Sequence, residues 1–413
     1  MTSKLEHPLK NYVLVTGAYW VFTLTDGALR MLVLLHFFSL GYEAFQIALL
    51  FVLYELAGVV TNLIGGWIGS RLGLKVTLYV GLGLQVIVLS ALAKFDTAWP
   101  VWQAVAFVMG LQALSGVAKD LTKMSAKSAV KLVVAEDEDA TLFKWVAILT
   151  GSKNTLKGVG FFLGGALLTW LGYEVALYGM AGAVALSFVA VLLLMTGDLG
   201  KAKEKVKFSV ILTKSPAINI LSGARFFLFG ARDIWFVVGL PLFLASQLNW
   251  NHTQIGSYMA AWVIGYGLVQ SISPQIVNHN ANAGSARLWL LALIVLTGVM
   301  SGSIYLDFQP ALTVLTGLII FGFIFALNSS IHSYLILVYS DRDKVALNVG
   351  FYYMANAGGR LAGTLISGLA YQFGGILFCL LTALGFLIAS WLIALALPHS
   401  DTGLIPRKQE NSG

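Results

Sequence analysis

Apolar runs of about 20 residues recur along the whole chain, and this repetition constrains the fold more than any other feature. A helix of about 20 residues crosses the roughly 30 Å hydrocarbon layer of a bilayer. Only 11% of the residues are charged and 58% are hydrophobic, whereas a soluble domain carries about a quarter charged residues. The sequence therefore predicts an all-α polytopic membrane protein and excludes a soluble fold.

Loop signals divide the apolar runs into twelve predicted spans. They lie at 12–38, 44–66, 75–93, 100–121, 145–170, 175–195, 217–245, 254–273, 288–305, 311–339, 345–371 and 376–397. With the amino terminus inside, almost all Lys and Arg residues of the loops fall on the inner side, and Lys94 alone falls outside. Because Lys and Arg in short loops set orientation, both termini are predicted to be cytoplasmic. The charged start, MTSKLEHPLKNY, indicates no removable signal peptide.

The chain also shows a weak internal repeat. The polar segment GDLGKAKEKVKF at 197–208 separates two groups of six spans, which gives halves at 1–196 and 215–398, a linker at 197–214 and a tail at 399–413. When the halves are aligned, Asp26 falls within a residue of Asp233 and Lys157 within a residue of Arg360. Two parallel six-span halves are typical of the major facilitator architecture, in which substrate binds between the halves near the midplane.

Twelve ionisable residues lie inside the predicted spans, where an unpartnered charge costs several kcal/mol and is a functional-site hypothesis by default. They are Asp26, Arg30, Glu55, Lys119, Asp120, Lys123, Lys153, Lys157, Arg225, Arg232, Asp233 and Arg360. Residues four apart share a helix face, which makes a lysine stripe from Lys119 through Lys123, Lys127 and Lys131, and a polar stripe from Asn348 through Tyr352 and Asn356 to Arg360. Eight cations against four anions predict a cationic cavity for a small-molecule polyanion.

Structural alternatives stand beside this interpretation. Asp26 and Arg30 share a helix face and form either an intrahelical ion pair or part of a substrate site. Arg232 and its neighbour Asp233 are expected to point in different directions, with Arg232 towards the cavity. The candidates for proton coupling or gating are Asp26, Glu55, Asp120, Asp233 and His332. Glu55 is equally well explained by an interhelical salt bridge, and His332 by an interior histidine with its hydrogen bonds satisfied.

Several function classes are disfavoured. The one cysteine, Cys379, allows neither an internal disulfide nor a multi-thiolate metal site. No nucleophile and base pair points to an enzyme, and no cofactor or metal is expected. The net charge of +7 does not indicate nucleic-acid binding, because the positive charges lie in the spans or on the inner loops. A sensor or scaffold is disfavoured because no loop is large enough for an effector module.

Three charged segments carry a closer resemblance. TLTDGALRMLVLLHF at 23–37, LSGVAKDLTKMSAKSAVKL at 114–132 and KWVAILTGSKNTLKGVGFFLGGALL at 144–168 resemble the ArsJ organoarsenical efflux permeases of the facilitator superfamily. The resemblance implies export of 1-arseno-3-phosphoglycerate, made by a partner glyceraldehyde-3-phosphate dehydrogenase, from a multi-pass position in lipid of the bacterial plasma (inner) membrane. An organic-phosphate exchanger, or another organic-anion transporter, remains open, because the residues do not distinguish arsenate from phosphate.

The candidate substrate-binding residues come from both halves, so that one cationic cluster can hold each end of such a ligand. They are Arg30, Lys119, Lys123, Lys153, Lys157, Arg225, Arg232, Tyr352, Asn356 and Arg360.

Overall fold

The computed structural model of the protein describes residues 8–129, 139–196, 215–277, 281–340 and 345–398. These residues form eleven α-helices and no strand. The helices are α1 (Pro8–Ser39), α2 (Ala44–Leu72), α3 (Leu74–Leu92), α4 (Val101–Ala129), α5 (Asp139–Leu194), α6 (Pro216–Phe236), α7 (Gly239–Ser246), α8 (His252–Val277), α9 (Ala283–Tyr305), α10 (Pro310–Val338) and α11 (Val345–Leu395).

The eleven helices make twelve crossings of the membrane. In the described part of the chain, nine segments are long and apolar enough to cross, and two of these, of 43 and 47 residues, are long enough to cross twice. Each of the two turns back at glycine, at Gly172 in α5 and at Gly374 and Gly375 in α11. The 26-residue α8 supplies the remaining crossing. The predicted breaks after 170 and 371 are therefore confirmed.

The seventh crossing differs from the predicted continuous span 217–245. It consists of α6 and α7, which are separated by a break at Val237 and Val238. The Ser367 hydroxyl of α11 accepts hydrogen bonds from the backbone N–H groups of Val238 at 3.2 Å and Gly239 at 3.1 Å. A neighbouring helix thus satisfies backbone groups that the break releases, as a bilayer interior requires.

Two pseudo-symmetric halves of six crossings each are formed by α1–α5, in which α5 crosses twice, and by α6–α11, in which α6 and α7 make one crossing and α11 makes two. They meet along α2 with the first part of α11, and along the first part of α5 with α8. Backbones touch at the end of the bundle opposite Pro8 and Pro398, where a Cβ added to Gly368 would lie 2.6 Å from the carbonyl oxygen of Ala44. Gln372 donates there to Glu43 at 2.9 Å. The linker and tail boundaries stay predictions, because residues 197–214 and 399–413 lie outside the described ranges.

The same glycine crossing occurs once in each half. In the first half α1 crosses α5 where Gly27 meets Gly160, and in the second half α6 crosses α11 where Gly230 meets Gly363. A Cβ on Gly160 would lie 3.0 Å from the Cα of Gly27, and a Cβ on Gly363 would lie 3.2 Å from the Cα of Gly230. Small residues allow helix backbones to approach this closely. The paired crossings fix the register between the halves.

This register decides which charged residues correspond. Lys157 and Arg360 each lie three residues before the second glycine of their crossing, so the two cations correspond, as the internal repeat predicts. Arg30 and Asp233 each lie three residues after the first glycine, so a cation of one half takes the place of an anion in the other. The predicted correspondence of Asp26 with Asp233 is therefore wrong by about one helical turn.

Candidate substrate-binding site

A chain of ion pairs of alternating sign lies between the halves. Glu55 of α2 accepts hydrogen bonds on Oε1 from Arg30 of α1 at 2.5 Å and from Arg360 of α11 at 2.7 Å. Arg360 Nε also donates to Asp233 Oδ2 of α6 at 3.1 Å, and Arg232 Nε donates to Asp233 Oδ1 at 2.6 Å. Both carboxylates are buried, with side chains 1% exposed. We call these five residues the central ion-pair chain.

The central ion-pair chain decides between two of the sequence alternatives. Glu55 forms an interhelical salt bridge, and this bridge joins the first half to the second. The expectation that Arg232 and Asp233 point in different directions is wrong. Although their Cα atoms are adjacent on α6, the long arginine side chain folds back and places its guanidinium against the carboxylate of its neighbour. Arg232 keeps 14% of its side chain exposed.

Lys157 adds a positive charge beside this chain. It lies on α5 at the crossing with α1, within electrostatic range of Arg30, Arg360, Glu55 and Asp26. Within the described ranges no carboxylate oxygen comes within 4 Å of its Nζ, and its nearest aromatic partner is the ring of Phe161 at 5.5 Å. The chain itself carries three arginines and two carboxylates. The formal charge of the central ion-pair chain and Lys157 together is therefore +2, and the nearby Asp26 and Lys119 cancel each other.

A second cluster lies between α1, α2 and α4. The hydroxyl of Tyr54 donates to both carboxylate oxygens of Asp26, at 2.7 and 2.9 Å. The Nζ of Lys119 lies 4.0 Å from the centroid of the Tyr54 ring, a cation–π contact. The proposed intrahelical ion pair of Asp26 with Arg30 is therefore not formed. Sequence reasoning missed Tyr54, whose position directly before Glu55 was the available signal.

A third cluster, also on α2 and α4, holds the next lysine of the stripe. Lys123 pairs with Asp120 at 3.3 Å and donates to Asn62 at 3.3 Å, with 24% of its side chain exposed. Asp120 also accepts from the hydroxyl of Thr61. Asp120 is thus engaged by its own helix and by α2. The side chain of Lys127 and all of Lys131 lie outside the described part of the structure.

The second half contains a buried arginine with neutral hydrogen-bond partners. Arg225 of α6 donates from Nε to Asn356 Oδ1 at 2.9 Å and from Nη1 to the Ser329 carbonyl at 3.0 Å. Its guanidinium carbon lies 3.9 Å from the ring centroid of Phe229 and 5.0 Å from that of Tyr352. No carboxylate lies within 4 Å of it in the described chain. The structure therefore brings Arg225 together with two residues of the predicted polar stripe.

His332 of α10 is one of several buried polar side chains that lack a hydrogen-bond partner among the described residues. It is fully buried, and neither ring nitrogen has a hydrogen-bond partner among the described residues. The expectation of a satisfied interior histidine is therefore wrong, and its alternative role in coupling or gating stays a hypothesis. Buried polar groups are almost always hydrogen-bonded, so an orphaned imidazole calls for an explanation.

Polar residues that sequence reasoning missed link the halves near Arg225. Asn154 Nδ2 of α5 donates to Gln270 Oε1 of α8 at 3.3 Å, and Gln270 Nε2 donates to Ser329 Oγ of α10 at 3.2 Å. Lys153, a predicted site residue, precedes Asn154 and is partly buried. The signal for Gln270 was its position one turn after Tyr266, which also donates to Ser329 Oγ, at 3.3 Å.

Two six-helix halves with a charged site between them define a polytopic membrane protein of the transporter class. Residues 15–364 match the family profile of the Major Facilitator Superfamily, and the chain belongs to this superfamily. The human organic anion transporter MFSD10 (TETRAN) is a similar solved structure, with a TM-score of 0.67, 13% sequence identity, and coverage of 94% of this chain and 99% of that one. At this identity the likeness shows the fold. No curated protein sequence matches the chain.

Proposed function

We propose that this protein exports an organic polyanion, and that the substrate is 1-arseno-3-phosphoglycerate. The observation that carries the proposal is the surplus of positive charge between the halves. The central ion-pair chain has three arginines for two carboxylates, and Lys157 beside it has no carboxylate within 4 Å among the described residues. A doubly charged anion supplies the missing negative charge.

The types of cation also suit an oxyanion. The planar guanidinium groups of Arg30 and Arg360 match the oxygens of phosphate or arsenate in two-point contacts, whereas the Lys157 ammonium acts as a point charge. A cationic drug would meet repulsion from these groups, and an apolar substrate would leave their charge uncompensated. The chemistry of the site therefore favours phosphorylated or arsenylated small molecules.

The central ion-pair chain suggests how binding is coupled to movement of the halves. Glu55 holds an arginine from each half on a single carboxylate oxygen. A substrate oxyanion that binds Arg30 and Arg360 competes with Glu55 for the same N–H groups. Binding would then weaken the link between the halves and allow them to rock around the site, as alternating access requires.

The arsenic-containing substrate rests on the ArsJ-like segments of the first half. That resemblance, together with the placement of basic loop residues, supports a position in the bacterial inner membrane with both termini cytoplasmic. It also makes glyceraldehyde-3-phosphate dehydrogenase the functional partner, since that enzyme supplies the substrate. Removal of the unstable product would complete arsenate detoxification.

An organic-phosphate exchanger is the second candidate, since the same cations would bind a phosphate ester. The two candidates differ in the direction of transport and in the need for arsenate. Everted membrane vesicles separate them when they are supplied with dehydrogenase, its nicotinamide cofactor, glyceraldehyde 3-phosphate and arsenate. We expect arsenic to accumulate in the vesicles only when the dehydrogenase is present.

Two variants sharpen this experiment. Lys157→Met should abolish the accumulation, while Lys94→Met, which changes an exposed loop lysine, should leave it unchanged. Absence of accumulation in both arms, with exchange of phosphate esters present, would replace the export proposal with the exchanger.

A further inference from the structure

The buried polar residues around Arg225 are next to the central ion-pair chain but do not belong to it. Arg232 belongs to the chain, and its guanidinium carbon lies 4.9 Å from the ring centroid of Phe229, the ring that Arg225 approaches to 3.9 Å from its own guanidinium carbon. The two arginines are seven residues apart on α6, which corresponds to about 10 Å along the helix axis. Asn356 and Arg360 show the same neighbourhood on α11, about 6 Å apart along its axis.

The residues around Arg225 differ in chemistry from the central ion-pair chain. Arg225 is 4% exposed, yet its side-chain partners within the described residues are an amide oxygen and a carbonyl oxygen, neither of which is charged. A buried guanidinium without a counter-charge is costly unless an anion joins it. Its Nη2 makes no hydrogen bond in the described chain, so donors remain for one.

His332 supplies a second, independent sign of an additional hydrogen-bonding partner. It lies three residues after Ser329 on α10, and Arg225 donates to the Ser329 carbonyl, so His332 shares that face of the helix. Both of its ring nitrogens lack partners among the described residues, although the side chain is fully buried. A neutral imidazole offers one donor and one acceptor.

We propose that Arg225 and His332 form a second ligand subsite, which binds the far end of a substrate whose first oxyanion lies at the central ion-pair chain. This inference rests on the proposed function and assigns the residues that hold the second end of its substrate. The ligand is a short-chain molecule with an oxyanion at each end, because the guanidinium carbons of Arg225 and Arg232 lie 3.9 and 4.9 Å from the same Phe229 ring centroid and are therefore close together. One oxyanion binds at the central ion-pair chain and Lys157. The oxyanion at the other end binds Arg225 and accepts a hydrogen bond from His332.

The aromatic rings beside Arg225 and Arg232 explain why a ligand with a short carbon skeleton suits the two arginines. Phe229 packs against Phe325 at a ring-centroid distance of 5.0 Å, and Tyr266 packs against Phe325 at 5.8 Å. Both arginines lie over the Phe229 ring, and Arg232 also lies 5.5 Å from the Phe325 centroid, so these rings offer carbon surface to the middle of a ligand while the arginines hold its ends. A ligand with one anionic end leaves Arg225 without its counter-charge.

Competitive binding to the purified full-length protein tests the subsite. Labelled 3-phosphoglycerate, which is anionic at both ends, is displaced either by itself unlabelled or by glycerol 3-phosphate, which is anionic at one end. We expect the native protein to prefer 3-phosphoglycerate by at least about tenfold, which corresponds to about 1.4 kcal/mol. Arg225→Gln and His332→Leu should reduce that preference to about twofold or less, with the affinity for glycerol 3-phosphate retained.

Matched variants separate binding from folding. His332→Asn keeps a donor and an acceptor and should retain most of the preference. Thr297→Val removes another buried hydroxyl without a hydrogen-bond partner, on α9 away from the subsite, and should change neither affinity. Melting temperatures identify any variant that fails to fold. If His332→Leu fails to fold, the binding preference of His332→Asn is compared with that of the native protein.

The outcomes separate this inference from the proposed function. If the native protein binds both phosphates equally, or if Arg225→Gln and His332→Leu weaken both ligands by the same factor, the second subsite is wrong and the anion site stands. If the native protein binds neither phosphate while the vesicles accumulate arsenic, the subsite is wrong and export stands; if neither binding nor accumulation occurs, both fail.

Discussion

Glu55 and Arg360 are 305 residues apart in sequence, yet their side chains are joined by a 2.7 Å hydrogen bond that connects the two halves of the protein. The same carboxylate oxygen accepts from Arg30 of the first half. Because Glu55 is buried, this bridge is a polar link in a low-dielectric interior, where loss of one partner leaves an uncompensated charge. The link makes Glu55 the residue whose removal has the most specific consequences.

Glu55→Gln should lower stability and increase anion binding. Removing the charge leaves Arg30 and Arg360 facing each other, at a cost on the order of 3 kcal/mol. The same change removes a competitor for the substrate oxyanion. We expect a lower melting temperature in detergent without ligand, and a tighter dissociation constant for a phosphate ester in a binding assay.

Glu174→Gln is the matched control, because Glu174 is an exposed glutamate of α5 outside the site. It should alter neither quantity. If Glu55→Gln weakened phosphate-ester binding, Glu55 would be a structural support of the site and not a competitor for its arginines.

Lys157→Met should separate function from folding. Lys157 has no carboxylate within 4 Å among the described residues and is only partly exposed, so partial desolvation of its amine costs free energy that methionine, of similar length, would not. We expect a melting temperature equal to or above that of the native protein, with substrate transport reduced at least about a hundredfold. A large loss of stability would instead show that Lys157 is a structural partner of the carboxylates around it.

Arg360→Lys tests the geometry of the central ion-pair chain. Arg360 uses Nη2 for Glu55 and Nε for Asp233, two directions that one ammonium group does not reproduce. Lysine keeps the positive charge, so any loss of substrate affinity shows that the two bonding directions of the guanidinium are required. We expect the substrate KM to rise at least about tenfold while expression in the membrane is retained. A native KM would mean that charge alone matters at this position.

Gly160→Leu should disrupt the crossing that positions Lys157 and Arg30. Any Cβ at Gly160 would meet the Leu24 carbonyl oxygen at 2.5 Å, so α1 and α5 must separate. Gly179→Leu is the control, because a Cβ there meets nothing within 4 Å. We expect the first variant to lose its folded fraction in fluorescence-detected size-exclusion chromatography, and the second to match the native protein. Equal profiles would contradict the close crossing.

Several features of the protein follow from the sequence alone. The repeated apolar runs determine twelve crossings, since a bilayer imposes length and hydrophobicity on each helix separately. Gly172 lies between the predicted spans 145–170 and 175–195, and Gly374 and Gly375 lie between 345–371 and 376–397, because turns leave local signals. The cations of the site were also visible, since an ionisable residue in an apolar run stands out against its neighbours.

What the sequence did not determine is which charges meet. Local helix spacing allowed an ion pair of Asp26 with Arg30, as one of two alternatives, and predicted that Asp233 points away from Arg232. The ion pair is not formed, and the prediction for Asp233 is wrong. Asp26 instead binds Tyr54, Arg30 binds Glu55, and Asp233 binds two arginines. Helical periodicity gives the face on which a residue lies. A long side chain, however, can reach a partner on any helix that packs against that face. That choice depends on the tertiary packing of α1, α2, α6 and α11, which only the folded structure decides.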